Sequence, residues 1–90
     1  STHISAVTLS FILQCQVSGE GPFSVRWSRL DSNRLPERAT TSPSYTLTIT
    51  DLRQDDTGRY VCRATNRYGT TSEEVVLRVI AGRYHIYVHK

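Results

Sequence analysis

Cys15 and Cys62 are the only cysteines in a 90-residue chain, and they bracket over half of it. That separation excludes a CxxC redox or zinc pattern, and two thiols without neighbouring histidines are too few for a metal site. Each lies in a segment whose apolar and polar residues alternate, as they do in a half-buried strand. The pair reads as a structural disulfide made in an oxidising compartment. A chain this short buries a thin core and often needs such a staple.

The alternation extends well beyond the cysteines. Val7, Leu9, Phe11, Leu13, Cys15 and Val17 share one face of a first long strand, which Gly19-Glu20-Gly21-Pro22 ends. Val25 and Trp27 alternate with Arg26 and Ser28 in a second. The polar stretch from Asp31 to Ser44 holds Pro36 and Pro43 and reads as loop with room for one short edge strand. Tyr45 to Thr50 alternates cleanly, and Asp51 to Gly58 reads as a single helical turn. Tyr60, Cys62 and Ala64 point one way and Arg59, Val61 and Arg63 the other. Asn66-Arg67-Tyr68-Gly69 is a hairpin turn, with Asn and Gly supplying positive φ. Val75, Leu77 and Val79 close the pattern. Short strands at this spacing, rich in Thr, Val, Tyr and Ile, make an all-β sandwich or barrel.

Taken together these residues form a specific constellation. Trp27 follows Cys15 by twelve residues; Leu47-x-Ile49, Leu52, Asp56-x-Gly58-x-Tyr60-x-Cys62 and Ala64-x-Asn66 come after. The pattern resembles the immunoglobulin fold, and its short Cys-to-Trp spacing is similar to the I-set. The resemblance covers roughly residues 9 to 80. It implies a two-sheet Greek-key sandwich in which Cys15 and Cys62 join the sheets, Trp27 packs on the sulfurs, and Leu47, Leu52 and Tyr60 lie in the core. Tyr60 would be the tyrosine corner, its hydroxyl bonded back to backbone near Asp56. Closing a loop of this length stabilises a fold by about 4 kcal/mol on the chain-entropy argument. Trp27-Ser28-Arg29, Leu35-Pro36 and Tyr45 to Ile49 further resemble the tandem modules of perlecan-type basement-membrane proteoglycans. Two features depart from the family pattern. Thr8 stands where such domains usually carry a glycine, and only a few residues precede the strand that carries Cys15, so the strand that opens such domains is expected to be truncated or divergent here. After an Ala81-Gly82 hinge, Tyr84, Ile86 and Val88 alternate with His85, Tyr87 and His89 but match no standard strand. The expected division is a domain over 1–80 and a tail or linker over 81–90. That tail could add an edge strand by folding back on Val75 to Ile80, an edge that two chains could otherwise share.

Ten of the eleven basic residues are arginine, in a chain of formal net charge +3. Arginine forks carboxylate, sulfate or phosphate bidentately, which a lysine ammonium does not. If Trp27, Cys62 and Leu77 point inward, alternation sends Arg26, Arg59, Arg63 and Arg78 outward on one sheet face, and Arg67 adds charge at the hairpin tip. The hairpin sets Arg63 opposite Glu74, and Arg78 opposite Arg59, to within a residue or two. These five arginines are the candidate ligand-binding residues.

Other chemistry is weaker. Gly19-x-Gly21-x-x-Ser24 grazes a dinucleotide fingerprint but joins two strands and opens no helix. His85 and His89 would lie on the order of 13 Å apart on a strand, too far to chelate one ion. Asp55 and Asp56 are adjacent and point apart, and no Ser/His/Asp spacing stands out. No cofactor, metal or catalytic activity is expected. The longest apolar runs are three residues, far short of the about 20 a bilayer span needs. The absence of a leader pattern reads as a piece cut from a longer processed protein. The expected function is an extracellular recognition or adhesion module of a matrix or cell-surface protein, binding protein or heparan sulfate, with no nucleic-acid partner and no membrane insertion. A spacer bead in a tandem array and an intracellular muscle-type I-set domain are the alternatives.

Overall fold

A computed structural model describes residues 10–15, 17, 19–32, 34–42, 45–80 and 83–89. Seven strands and one 3-10 turn account for its regular structure: β1 (Phe11–Gln14), β2 (Ser24–Arg29), β3 (Ala39–Thr41), β4 (Thr46–Ile49), the turn Gln54–Asp56, β5 (Gly58–Asn66), β6 (Gly69–Ile80) and β7 (Arg83–His89). They form two antiparallel sheets, ordered β1-β4-β3 and β2-β5-β6-β7. Sequence neighbours β1 and β2 fall in different sheets while β1 pairs with β4 and β2 with β5, so the connections cross between layers as a Greek-key sandwich requires. The start of the expected first long strand, Thr8 within it, lies outside the described residues; at its other end β1 stops at Gln14, and Cys15 and Val17 follow it outside the strand.

The core sits between the layers and follows the alternation of each strand. Phe11, Cys15, Trp27, Leu47, Ile49, Tyr60, Cys62, Leu77 and Val79 form one buried cluster. Leu52 is half-buried and packs against that cluster, with Leu13, Val25 and Leu35. The Cys15–Cys62 disulfide ties the two sheets, with its Cα atoms 6.1 Å apart. Trp27 stands directly opposite Cys62 in the β2–β5 register. Its indole Nε1 donates to the Tyr45 carbonyl at 3.1 Å, so the one polar atom of the ring is satisfied. The Cys15 amide donates to the same carbonyl at 3.0 Å. Tyr45 reaches that position with φ of 68°, a left-handed conformation uncommon for a bulky residue; two donors converging on its carbonyl oppose the cost.

One corner of the sandwich is polar and closed. The Tyr60 hydroxyl donates to the Asp56 carbonyl at 2.6 Å, and burial pushes the phenol pKa up to about 12. The Asp56 carboxylate is buried and accepts two bonds from the Arg38 guanidinium, at 2.9 and 3.0 Å, and one from the Arg53 amide at 2.8 Å. Arg38 Nη1 also donates to the Thr50 and Asp51 carbonyls, and its pKa is raised chiefly by the side-chain bond to Asp56. Next to it, Arg29 Nη2 donates to the Asp55 and Thr57 carbonyls, both at 2.8 Å, and its guanidinium carbon lies 5.6 Å from the Tyr60 ring centroid. A Cβ at Gly58 would stand 2.9 Å from Arg29 Nε and from Asp31 Oδ1, so a larger residue there would push these two side chains aside.

Residues 83–89 are a strand of the four-stranded sheet. β7 pairs antiparallel with β6 from Ile80↔Arg83 to Glu74↔His89. β5 pairs with β6 only as far as Gly58↔Leu77, so Arg78 to Ile80 have β7 on one side. On the other side Thr57 Oγ1 accepts from the Val79 amide at 2.9 Å, which prolongs the ladder by one bond. Tyr84 meets Phe11 edge-on, with centroids 5.8 Å apart, and so ties β7 to the opposite sheet.

Candidate functional site

The outer face of the β2-β5-β6-β7 sheet carries the arginines that the alternation assigns to it, and the registers decide which of them have partners. Arg26, Arg59, Arg63, Arg67 and Arg78 are all exposed. The β5–β6 hairpin turns at Arg67-Tyr68, with Asn66 opposite Gly69. The Asn66 side chain caps the turn by accepting from the Tyr68 and Gly69 amides, and Gly69 takes φ of 146°, open to glycine at little cost.

That two-residue turn corrects two expected pairings. Arg63 stands opposite Ser72, not Glu74, and Arg59 stands opposite Val76, not Arg78. The turn lies where the sequence placed it, and counted outward from Asn66↔Gly69 every partner falls two residues from the one expected. Arg78 instead lies opposite His85 on β7. Glu74 therefore reaches Arg59, with Nη1 and Oε2 3.8 Å apart. Arg67 pairs with Glu20 at 3.6 Å, and its guanidinium stacks on the Tyr68 ring at 4.9 Å.

The other register, between β2 and β5, sets Arg26 directly opposite Arg63. Directly opposed side chains in an antiparallel pair have Cβ atoms about 4.5–5.5 Å apart, and like charges there repel. All eight carboxylate side chains of the chain lie among the described residues. None of them pairs with Arg26 or Arg63. A surface hollow of ≈ 530 Å³ opens at this point, lined by Arg26, Trp27, Ser28, Arg34, Leu35 and Arg63. Arg34, from the loop after β2, is the third unpaired guanidinium at the hollow. Reading the sequence missed it, because alternation ranks strand residues and says nothing about where a loop side chain lands. Val61, between the two arginines and Arg59 on the same strand, is buried although it faces outward, so the face has an apolar floor beneath its charges.

Arg59 and Arg67 are thus held by acids, while Arg26, Arg34 and Arg63 converge without any. Arg78 also lacks an acid but stands apart. The strand rise puts it about 20 Å along β6 from Ser72, the partner of Arg63.

The sequence profile of the Immunoglobulin I-set domain matches residues 5–79. The chain belongs to the immunoglobulin I-set family. It is 38% identical over 69 residues to the mouse cell adhesion molecule DSCAML1, which covers 76% of this chain and 3% of that protein. It is 38% identical over 72 residues to the mouse basement membrane-specific heparan sulfate proteoglycan core protein, covering 80% of this chain and 2% of that protein. The muscle M-line assembly protein unc-89 of Caenorhabditis elegans is 35% identical over 74 residues, covering 76% and 1%. The chain therefore spans only a few per cent of the length of these relatives. The proteoglycan among them is of the basement-membrane type that the resemblance in the sequence pointed to. Among the described residues there is no group of three or more His, Cys, Asp or Glu side chains placed to hold a metal ion, and no helix long and apolar enough to cross a membrane.

Proposed function

We propose that this I-set domain is a non-catalytic recognition module of a much longer matrix or cell-surface protein, docking an anionic partner on the outer face of its four-stranded sheet. The observation that carries the reading is the set of exposed arginines on that face left without a carboxylate, although all eight acids are accounted for. Unopposed like charges cost stability and gain nothing within the domain, whereas they accelerate and orient association with a partner of opposite charge.

An extracellular setting is supported by the disulfide in the core and by the adhesion and matrix relatives. The muscle relative favours a second reading, an intracellular module with reduced thiols. Counting thiols under non-reducing, denaturing conditions in protein from its native source separates the two. No free thiol is expected, and two free thiols would overturn the extracellular reading. Solid-phase binding to immobilised heparin and to basement-membrane proteins at physiological salt separates recognition from a bare spacer. Binding that weakens steeply with added salt is expected, since the Debye length falls to about 3 Å at 1 M. No binding to any of these surfaces would leave the spacer reading standing in its place.

A further inference from the structure

We infer that the hollow framed by Arg26, Arg34 and Arg63 is a sulfate-ester site that takes a sulfated glycan chain. The inference rests on the extracellular reading above and narrows it to one place and one chemistry. Three arginines line one hollow of ≈ 530 Å³. The β2–β5 ladder sets the backbones of Arg26 and Arg63 directly opposite each other, so both side chains rise from neighbouring points on one sheet face.

The oxygen count of the ligand selects between anions. A carboxylate has two oxygens in one plane, so a bidentate guanidinium takes one lone pair of each and leaves only the outward-facing pairs for a second donor. A sulfate monoester has three terminal oxygens arranged tetrahedrally, so it accepts forks from two adjacent guanidiniums at once. It fits the space between Arg26 and Arg63 better than an aspartate or glutamate does. Arg34, from the loop on the far side, meets a second anionic group on the same chain. A glycan with a sulfate or carboxylate on each sugar supplies groups at such intervals.

The fork geometry also explains why all three are arginine. A lysine ammonium is a point charge that neutralises an anion without fixing its orientation. An acidic peptide would gain most by adding main-chain bonds along a sheet edge. Here the charges stand on the sheet face: Arg26 lies on the edge strand β2, but Arg63 belongs to the inner strand β5, whose backbone is occupied on both sides by β2 and β6.

The test is titration of the 90-residue chain with a heparin-derived hexasaccharide at physiological salt, followed by calorimetry. Arg26→Gln with Arg63→Gln should weaken binding about tenfold or more, since each charge-assisted bond removed is worth about a factor of ten. The control, Arg53→Gln with Arg83→Gln, removes the same net charge from elsewhere and should change affinity less than about threefold. Arg34→Gln alone should weaken it measurably. Arg26→Lys with Arg63→Lys keeps every charge and should still lose most of the affinity. All these side chains are exposed, and circular dichroism of each variant checks that it is folded.

Equal losses in the site and control doubles would mean diffuse attraction to a basic surface and would overturn the site. So would full retention of affinity in the lysine double. Hexaglutamate or a single-stranded DNA hexamer binding as tightly as the hexasaccharide would replace the sulfated glycan with an acidic peptide or a phosphate polyanion. The thiol count that tests the extracellular reading is a separate measurement, so failure of either is recognised on its own.

Discussion

Two groups of arginines in this domain have opposite lives. At the closed corner, Arg38 and Arg29 spend their donors on Asp56 and on four backbone carbonyls, those of Thr50, Asp51, Asp55 and Thr57. At the open face, Arg26, Arg34 and Arg63 find no acid at all. The residue type is the same, and neighbours decide the role. A guanidinium whose donors are taken by its own fold is a structural tie, and one left over on a sheet face is available to a partner. Substitutions at the two places should therefore fail differently, the first in stability and the second in binding.

The largest effect is expected at the corner. Arg38→Ala would leave the Asp56 carboxylate, 2% exposed, with only the Arg53 amide beside it. Removing one partner of a buried pair typically costs about 3–5 kcal/mol, because the other charge stays buried. Arg38 is itself 26% exposed, so the lower end, about 3 kcal/mol, is expected. That is a large share of the about 5–15 kcal/mol that holds a small domain folded. Chemical denaturation should show the midpoint falling with an unchanged slope. A loss no greater than that of an exposed arginine would mean that the corner is not the tie it is described as.

The corner also sets a pH limit of its own. Tyr60 titrates near 12 in the folded chain against 10 for a free phenol. The unfolded chain therefore loses this proton first as pH rises. The stabilisation is fully present below about pH 10 and is lost between about 10 and 12. Tyr60→Phe should abolish that part of the alkaline loss. It should also lower stability at neutral pH by about 1 kcal/mol, the usual net worth of one hydrogen bond, here the 2.6 Å bond to Asp56. Urea melts of both proteins at pH 8 and pH 11 measure the difference. Parallel losses in wild type and variant would assign the alkaline sensitivity to other groups.

Much of this was legible in the residues. Period-2 alternation placed β2, β4, β5 and β6, and the cysteine pair, Trp27 and Asp56-x-Gly58-x-Tyr60 pointed to the family before any coordinates. The charged face was legible too, because strand alternation says which side chains share a side. Register was less so. Placing Arg63 against Ser72 depends on a two-residue turn, and a shift of two leaves the faces unchanged while exchanging every partner. That exchange moved Glu74 from Arg63 to Arg59 and left Arg63, which the separate β2–β5 register sets against Arg26, without an acid. Arg38 and Arg34, the strongest tie and the third arm of the hollow, both come from the loop between β2 and β3. Loop side chains have no periodicity to read, so their partners emerge only from the folded chain. The strand β7 was visible as an alternating Tyr84, Ile86 and Val88, and the open edge at Val75 to Ile80 offered it a place to fold back, which is where it pairs.

The smallest effect is the most pointed test of the comparison. If Arg26 and Arg63 repel across the ladder, reversing one charge should turn the repulsion into attraction. Arg26→Glu places a carboxylate directly opposite Arg63 in the existing register. Cross-strand pairs of opposite charge gain on the order of a few tenths of a kcal/mol at the surface, and like pairs lose a similar amount. The melting temperature should therefore rise by a few degrees at low ionic strength, since about 1 kcal/mol corresponds to roughly 4–8 °C in a domain of this size. The gain should shrink in 1 M salt, where screening acts within about 3 Å. A double-mutant cycle with Arg63→Gln isolates the pair from any change in strand propensity at position 26. The same substitution should weaken hexasaccharide binding, because it fills the hollow with the domain's own anion. A variant that is more stable and binds less would show that the unpaired arginines trade stability for a partner. A variant with no gain in stability and no salt dependence would mean that Arg26 and Arg63 avoid each other at no cost, and the contrast with the closed corner would lose its energetic basis.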